Sequence, residues 1–457
     1  MAVLYANQLP DQKGIFWMRV SRSVDRVGVT FDDTRLVADA GLLLVASLSG
    51  RLALEAMVND TVDLGDRPGA FAPGRKVLTL AHAMAAGAGF IDDVDILRSG
   101  ATAQVVGHRV MAPSTVGTFL RSFSFGHVRQ LDRVNEIALS RAWAAGAGPE
   151  AILDDAGEGT VEFVDVDSTI LETHGHAKQG ATFGYTHRRG YHPLLATRAA
   201  SGEVLHLRFR KGSANTARGM KRFVEELAAR LRRLPMTAPV VIRADSGFHS
   251  AKTIAACRQA GFGFSITARQ TTVIRAAIAG IAEHEWVPMG DYPDSGVAEL
   301  AETELDDGTR LIVRRTIVLD PAETLFALWR HHAFVTDRAG TAVALDLEHR
   351  QHAIVELTIR DLKNGPLAHC PSGSFPANSA WAAIAVLAHN LLRWTATIGG
   401  IHTGPVVAKT IRRRYIALPG RITRSARRHT LHLPARWPWR KQWTIALDRI
   451  RALPQLT

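Results

Sequence analysis

Cysteine is almost missing from this chain. Cys257 and Cys370 are the only two in 457 residues, far apart and in unlike contexts. That argues against a disulfide framework or a cysteine-bound zinc, and fits a reducing compartment. Long apolar runs are also missing. The most apolar stretches, residues 41–49 and 381–392, fall short of the ~18 residues a membrane span needs, and the second carries His389 and Asn390. The first residues, MAVLYANQLPDQKGIF, lack a basic segment followed by an apolar one, so no secretory signal is read there. The expectation is a soluble, cytoplasmic protein with no membrane partner. Acidic residues fail in one place only. Residues 401–457 hold thirteen Lys and Arg against a single acid, Asp448. The chain carries a net charge of +12, so this segment accounts for the whole excess. A cationic tail of this kind implies a polyanionic partner, and arginine suits bidentate contacts with phosphate. Trp437, Trp439 and Trp443 interleave with it, fit either to stack on bases or to pack the tail onto the body.

With 46% apolar and 21% charged residues the chain can bury large cores, and its length suggests about three domains. Residues 1–35 alternate loosely through Val27, Val29 and Phe31, which suggests a strand pair or an arm. Residues 1–148 read as mainly helical, ending in the glycine-rich boundary GAGPEAILDDAGEG (146–159). An α/β core is expected from 160 to 269, with strands at 161–166, 190–199, 204–209, 239–244 and 263–268 and helices at 215–234 and 250–260. A β-rich insertion follows at 270–335, with Asp307-Gly308 as a hairpin turn. The core resumes at 336–400, where a helix from Glu348 to Leu362 stops at Asn364-Gly365-Pro366. The basic tail occupies 401–457.

Two strand-like segments end in aspartate: EFVDVDST closes on Asp167 and VIRADSGF on Asp245. Ligands in open α/β sheets collect beyond the carboxyl ends of strands, so these two acids can converge although distant in sequence. On the later helix, His349, His352, Glu356 and Lys363 are spaced by 3, 4 and 7, which puts them along one face. Glu356 and Lys363 would then lie ~10.5 Å apart along the axis at ~1.5 Å per residue. Three carboxylates can hold two Mg²⁺ or Mn²⁺ ions, which prefer oxygen ligands and together drive an in-line phosphodiester displacement. Each acid alone has a plainer reading, as a turn, a cap or a solvated helix residue.

Together these segments resemble the DDE transposases of bacterial insertion sequences. The matching pieces are VDVDST (164–169), GYTHRRGYHPLLA (184–196), VIRADSGF (241–248) and Glu356-x6-Lys363, with FIDDVDILR (90–98), PSTVGTFLR (113–121) and the tryptophan-bearing basic tail. The resemblance covers most of the chain. It implies a ribonuclease-H-like mixed sheet flanked by helices, with a helical N-terminal DNA-binding and dimerisation domain and a β-rich insertion. It also implies Asp167, Asp245 and Glu356 as the metal-binding catalytic triad. Asp165 competes with Asp167 for the first place; Asp167 is preferred because it directly precedes Ser168-Thr169. In the family signature Tyr-x2-Arg-x3-Glu-x6-Lys, His349 stands at the tyrosine position and His352 at the arginine position. These two histidines, with Lys363, Arg412, Arg413, Arg414, Arg427 and Arg428, are the expected DNA contacts.

The implied function is cut-and-paste transposition: binding of terminal inverted repeats as a synaptic homodimer, metal-dependent cleavage of double-stranded DNA, and strand transfer in the nucleoid. Two alternatives are a transposase-derived DNA-binding protein that no longer cuts, and a nuclease of the same fold that does not join strands.

Overall fold

The computed structural model describes residues 27–149, 161–175, 177–184, 187–236, 238–289, 297–317, 329–402 and 404–456. Most of the expected N-terminal strand pair and part of the 146–159 boundary lie outside them; residues 27–33 carry no strand. Arg35–Thr457 forms one compact unit.

The N-terminal part is mainly helical, as its sequence suggests. After the short strand β1 (Leu36–Val37) come α1 (Leu42–Arg51), α2 (Leu54–Thr61), α3 (Pro73–Ala86), α4 (Pro113–Arg121) and α5 (Phe125–Ala142). Proline opens α3 and α4, where its missing N–H costs nothing. Ser124 and His127 cap α5 reciprocally.

Among the described residues, the central sheet has nine strands. β6 (Leu194–Arg198) runs antiparallel to both β2 (Glu162–Ser168) and β7 (Val204–Arg208), whereas β8 (Val240–Ala244) and β9 (Gly263–Thr267) are parallel to β2. The order β7-β6-β2-β8-β9 is the ribonuclease-H-like arrangement. Every residue of β6 and β8 is buried, which explains why PVVIRA reads as a continuous run rather than an alternation. Helices α6 (Met220–Leu231) and α7 (Ala251–Ala260) flank this part and pack on each other.

The segment after α8 (Thr272–Ala279) continues the same sheet through β10 (Val287–Pro288), β11 (Val297–Glu304), β12 (Arg310–Ile317) and β13 (Arg330–Thr336), the last pairing antiparallel with β9. The Asp307-Gly308 turn joins β11 to β12, with Gly308 in the left-handed region (φ 75°) that favours glycine. A small separate sheet, β3 (Leu171–Glu172), β4 (Thr182–Phe183) and β5 (Arg189–Tyr191), lies just beyond β2 in sequence.

The expected helix from Glu348 to Leu362 is not continuous. α9 (Ala342–Arg350) gives way to a tighter turn at Gln351–Ala353 before α10 (Ile354–Lys363) begins. No glycine or proline marks the break, so sequence pattern alone could not place it.

Helix α11 (Phe375–Ile398) is the largest apolar contribution to the core. It packs against α1, α3, α4 and α5 as well as β7, so the N-terminal helices and the sheet share one core. Buried hydrophobic area on this scale is the main stabilising term. After the short helix α12 (Ala408–Ile411), the tail folds back. β14 (Gly420–Ser425) and β15 (Arg428–His432) form a hairpin that pairs with β1, and α13 (Arg440–Ala452) packs on α1 and α11. Trp443 is buried and donates its indole N–H to the Tyr415 carbonyl; Trp437 donates to the Arg414 carbonyl. Trp443 thus packs into the main core, with Trp437 and Trp439 half-buried against it. No single helix among the described residues is long and apolar enough to cross a membrane.

Candidate active site

β2 and β8 are neighbouring parallel strands, with Val166 opposite Ala244. Asp167 and Asp245 are therefore the next residues along two strands about 4.8 Å apart, both at their carboxyl ends. Asp167 is largely buried and accepts a hydrogen bond from the Ser168 amide at 2.6 Å. Asp245 is exposed and accepts from the Gly247 amide at 2.9 Å, capping the turn Ser246–Phe248. Glu356 sits in the first turn of α10, which lies against β2, and its side chain is exposed.

The electrostatics join the three. Burial pushes the Asp167 carboxyl up to about 6; the Ser168 amide and His352 pull it down, while Asp245 and Glu356 push it further up. Asp245 and Glu356 are thus both close enough to disfavour ionisation of Asp167. Oxygen donors of this kind suit Mg²⁺ or Mn²⁺ by type. Among the described residues, however, no three His, Cys, Asp or Glu side chains are gathered closely enough to hold an ion. The three acids share an end of the sheet without closing on a common point.

Residues 21–455 match the family described as transposase DDE domain, group 1. This chain belongs to that family. It is a DNA-cleaving transposase, in a family that generally uses divalent metal ions. No curated protein matches it. Among solved structures, the cryo-EM structure of the piggyBac transposase synaptic complex with hairpin DNA is similar at 12% identity. The match covers 82% of this chain and 79% of that one, with a TM-score of 0.44.

Around the acids, the transposase uses its other residues differently from expectation. Asp165, the rival for the first acidic place, is fully buried and held by a bidentate pair with Arg243, at 2.6 and 3.0 Å. Both of its oxygens are engaged, which leaves Asp167 as the strand-end acid facing outward.

His349 is an expected DNA contact, but the broken helix turns it inward. Its ring nitrogens meet Ser265 Oγ at 2.8 Å and Thr267 Oγ1 at 3.0 Å, and its ring stacks on Phe334. Burial, aided by the charges of His352, Arg243 and Arg314, pulls it down to about 3. A neutral ring with both nitrogens occupied is no phosphate clamp. His352 also turns inward, its Nδ1 3.2 Å from Asp165 Oδ1. Lys363 remains exposed at the end of α10.

In the tail, Arg412 is another correction. It is largely buried and donates to the carbonyls of Ala85 and Met84 at 3.0 Å each, tying the tail to the end of α3. Arg413, Arg414, Arg427 and Arg428 are exposed, with Arg414 over the Trp439 ring.

Sequence reasoning missed Arg243. An arginine inside the buried run VVIRA should have signalled a buried acid across the sheet, because an unpaired charge there is too costly.

Proposed function

We propose that this transposase performs cut-and-paste transposition of an insertion sequence, binding the element's terminal inverted repeats as a homodimer and using Asp167, Asp245 and Glu356 as its metal-holding carboxylates. The observation that carries this reading is the pair of strand-end acids, Asp167 and Asp245, on neighbouring parallel strands beside the helix of Glu356, with a charge crowding at Asp167 to which the other two both add. Without cations it is a repulsion; with them it becomes a binding force.

Two Mg²⁺ or Mn²⁺ ions, when bound, would supply Lewis acidity to the attacking and leaving oxygens of an in-line phosphodiester displacement. The protein's own part is to present the three carboxylates at the mouth of the sheet. Asp167 must release the proton that its neighbours favour. Lys363, two turns beyond Glu356 and exposed, donates to a backbone phosphate in this reading. The exposed arginines at 413, 414, 427 and 428 grip DNA without reading sequence.

The test is nicking of a supercoiled plasmid carrying candidate element ends, with Mg²⁺ or Mn²⁺, followed by supply of pre-cut ends with target DNA. Wild-type protein should nick and then join. Full metal-dependent cleavage by Asp245→Ala would reject the triad. Cleavage without joining would identify a nuclease instead, and specific end binding without nicking a protein that has lost its chemistry.

A further inference from the structure

Directly behind the three carboxylates lies a second, buried constellation. Asp165 precedes Asp167 by two residues on β2, Arg243 precedes Asp245 by two on β8, and His352 precedes Glu356 by four. Two residues along a strand return to the same face of the sheet, so Asp165 and Arg243 each lie one step inward from a strand-end aspartate. His352 lies in the tight turn from which the helix of Glu356 starts.

The contacts close the figure. Arg243, 1% exposed at its side chain, forks onto the fully buried Asp165 at 2.6 and 3.0 Å. It also donates to the Glu348 carbonyl at 2.6 Å and reaches the Gln351 carbonyl at 3.5 Å. Those carbonyls belong to the last turn of α9 and to the first residue of the break before α10. His352 Nδ1 meets Asp165 Oδ1 at 3.2 Å, and the Phe163 ring lies under the guanidinium at 4.5 Å. One side chain, Arg243, thus touches both parallel strands and the turn that launches the glutamate helix. A buried ion pair gives little stability over a well-packed apolar one, but its geometry is directional.

We propose that Asp165, Arg243 and His352 form an internal brace whose role is to set the relative positions of Asp167, Asp245 and Glu356 for cation binding, with His352 as its link to the glutamate helix. The brace rests on the triad reading above. Its three members are positioning residues: they act through the carboxylates and touch no reacting atom. In this chain the histidine at the family's arginine position faces inward to an aspartate rather than outward to DNA.

The deciding residue is His352, at the partly exposed end of the brace, where substitution leaves the Arg243–Asp165 pair intact. Mn²⁺ binding to the full-length protein is measured by electron paramagnetic resonance of the free ion. Affinity for a plain DNA duplex is measured across a salt series, and nicking on a supercoiled plasmid. His352→Ala should weaken Mn²⁺ affinity by about 10-fold or more, the range seen when a ligand's supporting partner is removed. Its nicking at limiting Mn²⁺ should fall in step, with DNA affinity and salt slope unchanged. His352→Asn, whose amide can donate from near the Nδ1 position, should recover to within about threefold of wild type. If His352→Ala does not fold, His352→Gln serves in its place, filling the space while moving the donor out of reach.

Three results would overturn the brace: wild-type Mn²⁺ affinity in the alanine or glutamine variant, a reduced salt slope showing that His352 itself binds phosphate, or no recovery with asparagine. Glu356→Gln separates this from failure of the triad. If that variant binds Mn²⁺ and nicks like wild type, the triad itself is wrong. If it is inactive while His352→Ala is unaffected, only the brace fails.

Discussion

At the carboxyl ends of β2 and β8, acids gather; along residues 412–428, arginines gather. Both regions concentrate charge of one sign, yet they differ in their access to water. Asp167 is largely buried, so its neighbours Asp245 and Glu356 act on it through protein as well as solvent. Arg413, Arg414, Arg427 and Arg428 lie in water, where salt screens their repulsion within about 10 Å. The same crowding therefore has two consequences. The acids await a compact divalent partner that removes a local strain. The arginines await a long polyanion and release counterions when they meet it. Arg412 marks the border between the two situations, being a tail arginine that is buried and spent on helix carbonyls.

The contrast can be broken most sharply at the acids. Asp167→Asn or Asp245→Ala should reduce metal-dependent nicking by more than about 100-fold, beyond the cost of losing a mere supporting partner. Thermal stability measured without divalent ions should not fall in Asp245→Asn, because a like charge is removed while the amide oxygen can still cap the turn Ser246–Phe248. A melting temperature well below wild type would mean that the acids are structural.

The next effect is on pH. Asp167 is raised from an ordinary 3.8 to about 6, so between those values the folded protein holds a proton that the unfolded chain does not. Without divalent ions, stability should fall as pH rises from about 4 through 6 and level off above, as linkage requires. Cations favour the ionised carboxylate, so adding Mn²⁺ should offset that decline, and nicking at limiting Mn²⁺ should weaken as pH drops below about 6. Melting curves over this range check the first claim and initial nicking rates the second. Stability that instead rose across this window would show that Asp167 is not the protonated group.

The tail offers two smaller tests. Arg412→Ala should cost about 2 kcal/mol in chemical denaturation, the scale of hydrogen bonds to a charged group, with the salt dependence of DNA binding unchanged. Replacing Arg413, Arg414, Arg427 and Arg428 together should do the reverse, with the salt slope falling by ~0.9 for each phosphate no longer neutralised. If all five behaved alike, the division between buried and exposed arginine would have no functional meaning.

The strands were legible because VDVDST and PVVIRADSG combine β-branched runs with an abrupt polar end, a local signal. The helical character of residues 1–148 was legible in the same way, and the Asp-Gly hairpin from its turn chemistry. What escaped was non-local. The Asp165–Arg243 pair depends on the register of two strands 78 residues apart, and nothing near either residue states that register. The break after Arg350 is held by Arg243 from across the sheet, so the local sequence reads as unbroken helix and puts His349 and His352 on a face they do not share with Glu356. Arg412 looked like its neighbours because burial by α3 is a tertiary fact.

Helix α11 has a consequence for synthesis. Its residues come late in translation, but they supply the inner wall against which α1, α3 and α5 close. A product terminated before Phe375 would leave those helices with their greasy sides bare, unable to compete for element ends as a folded inhibitor.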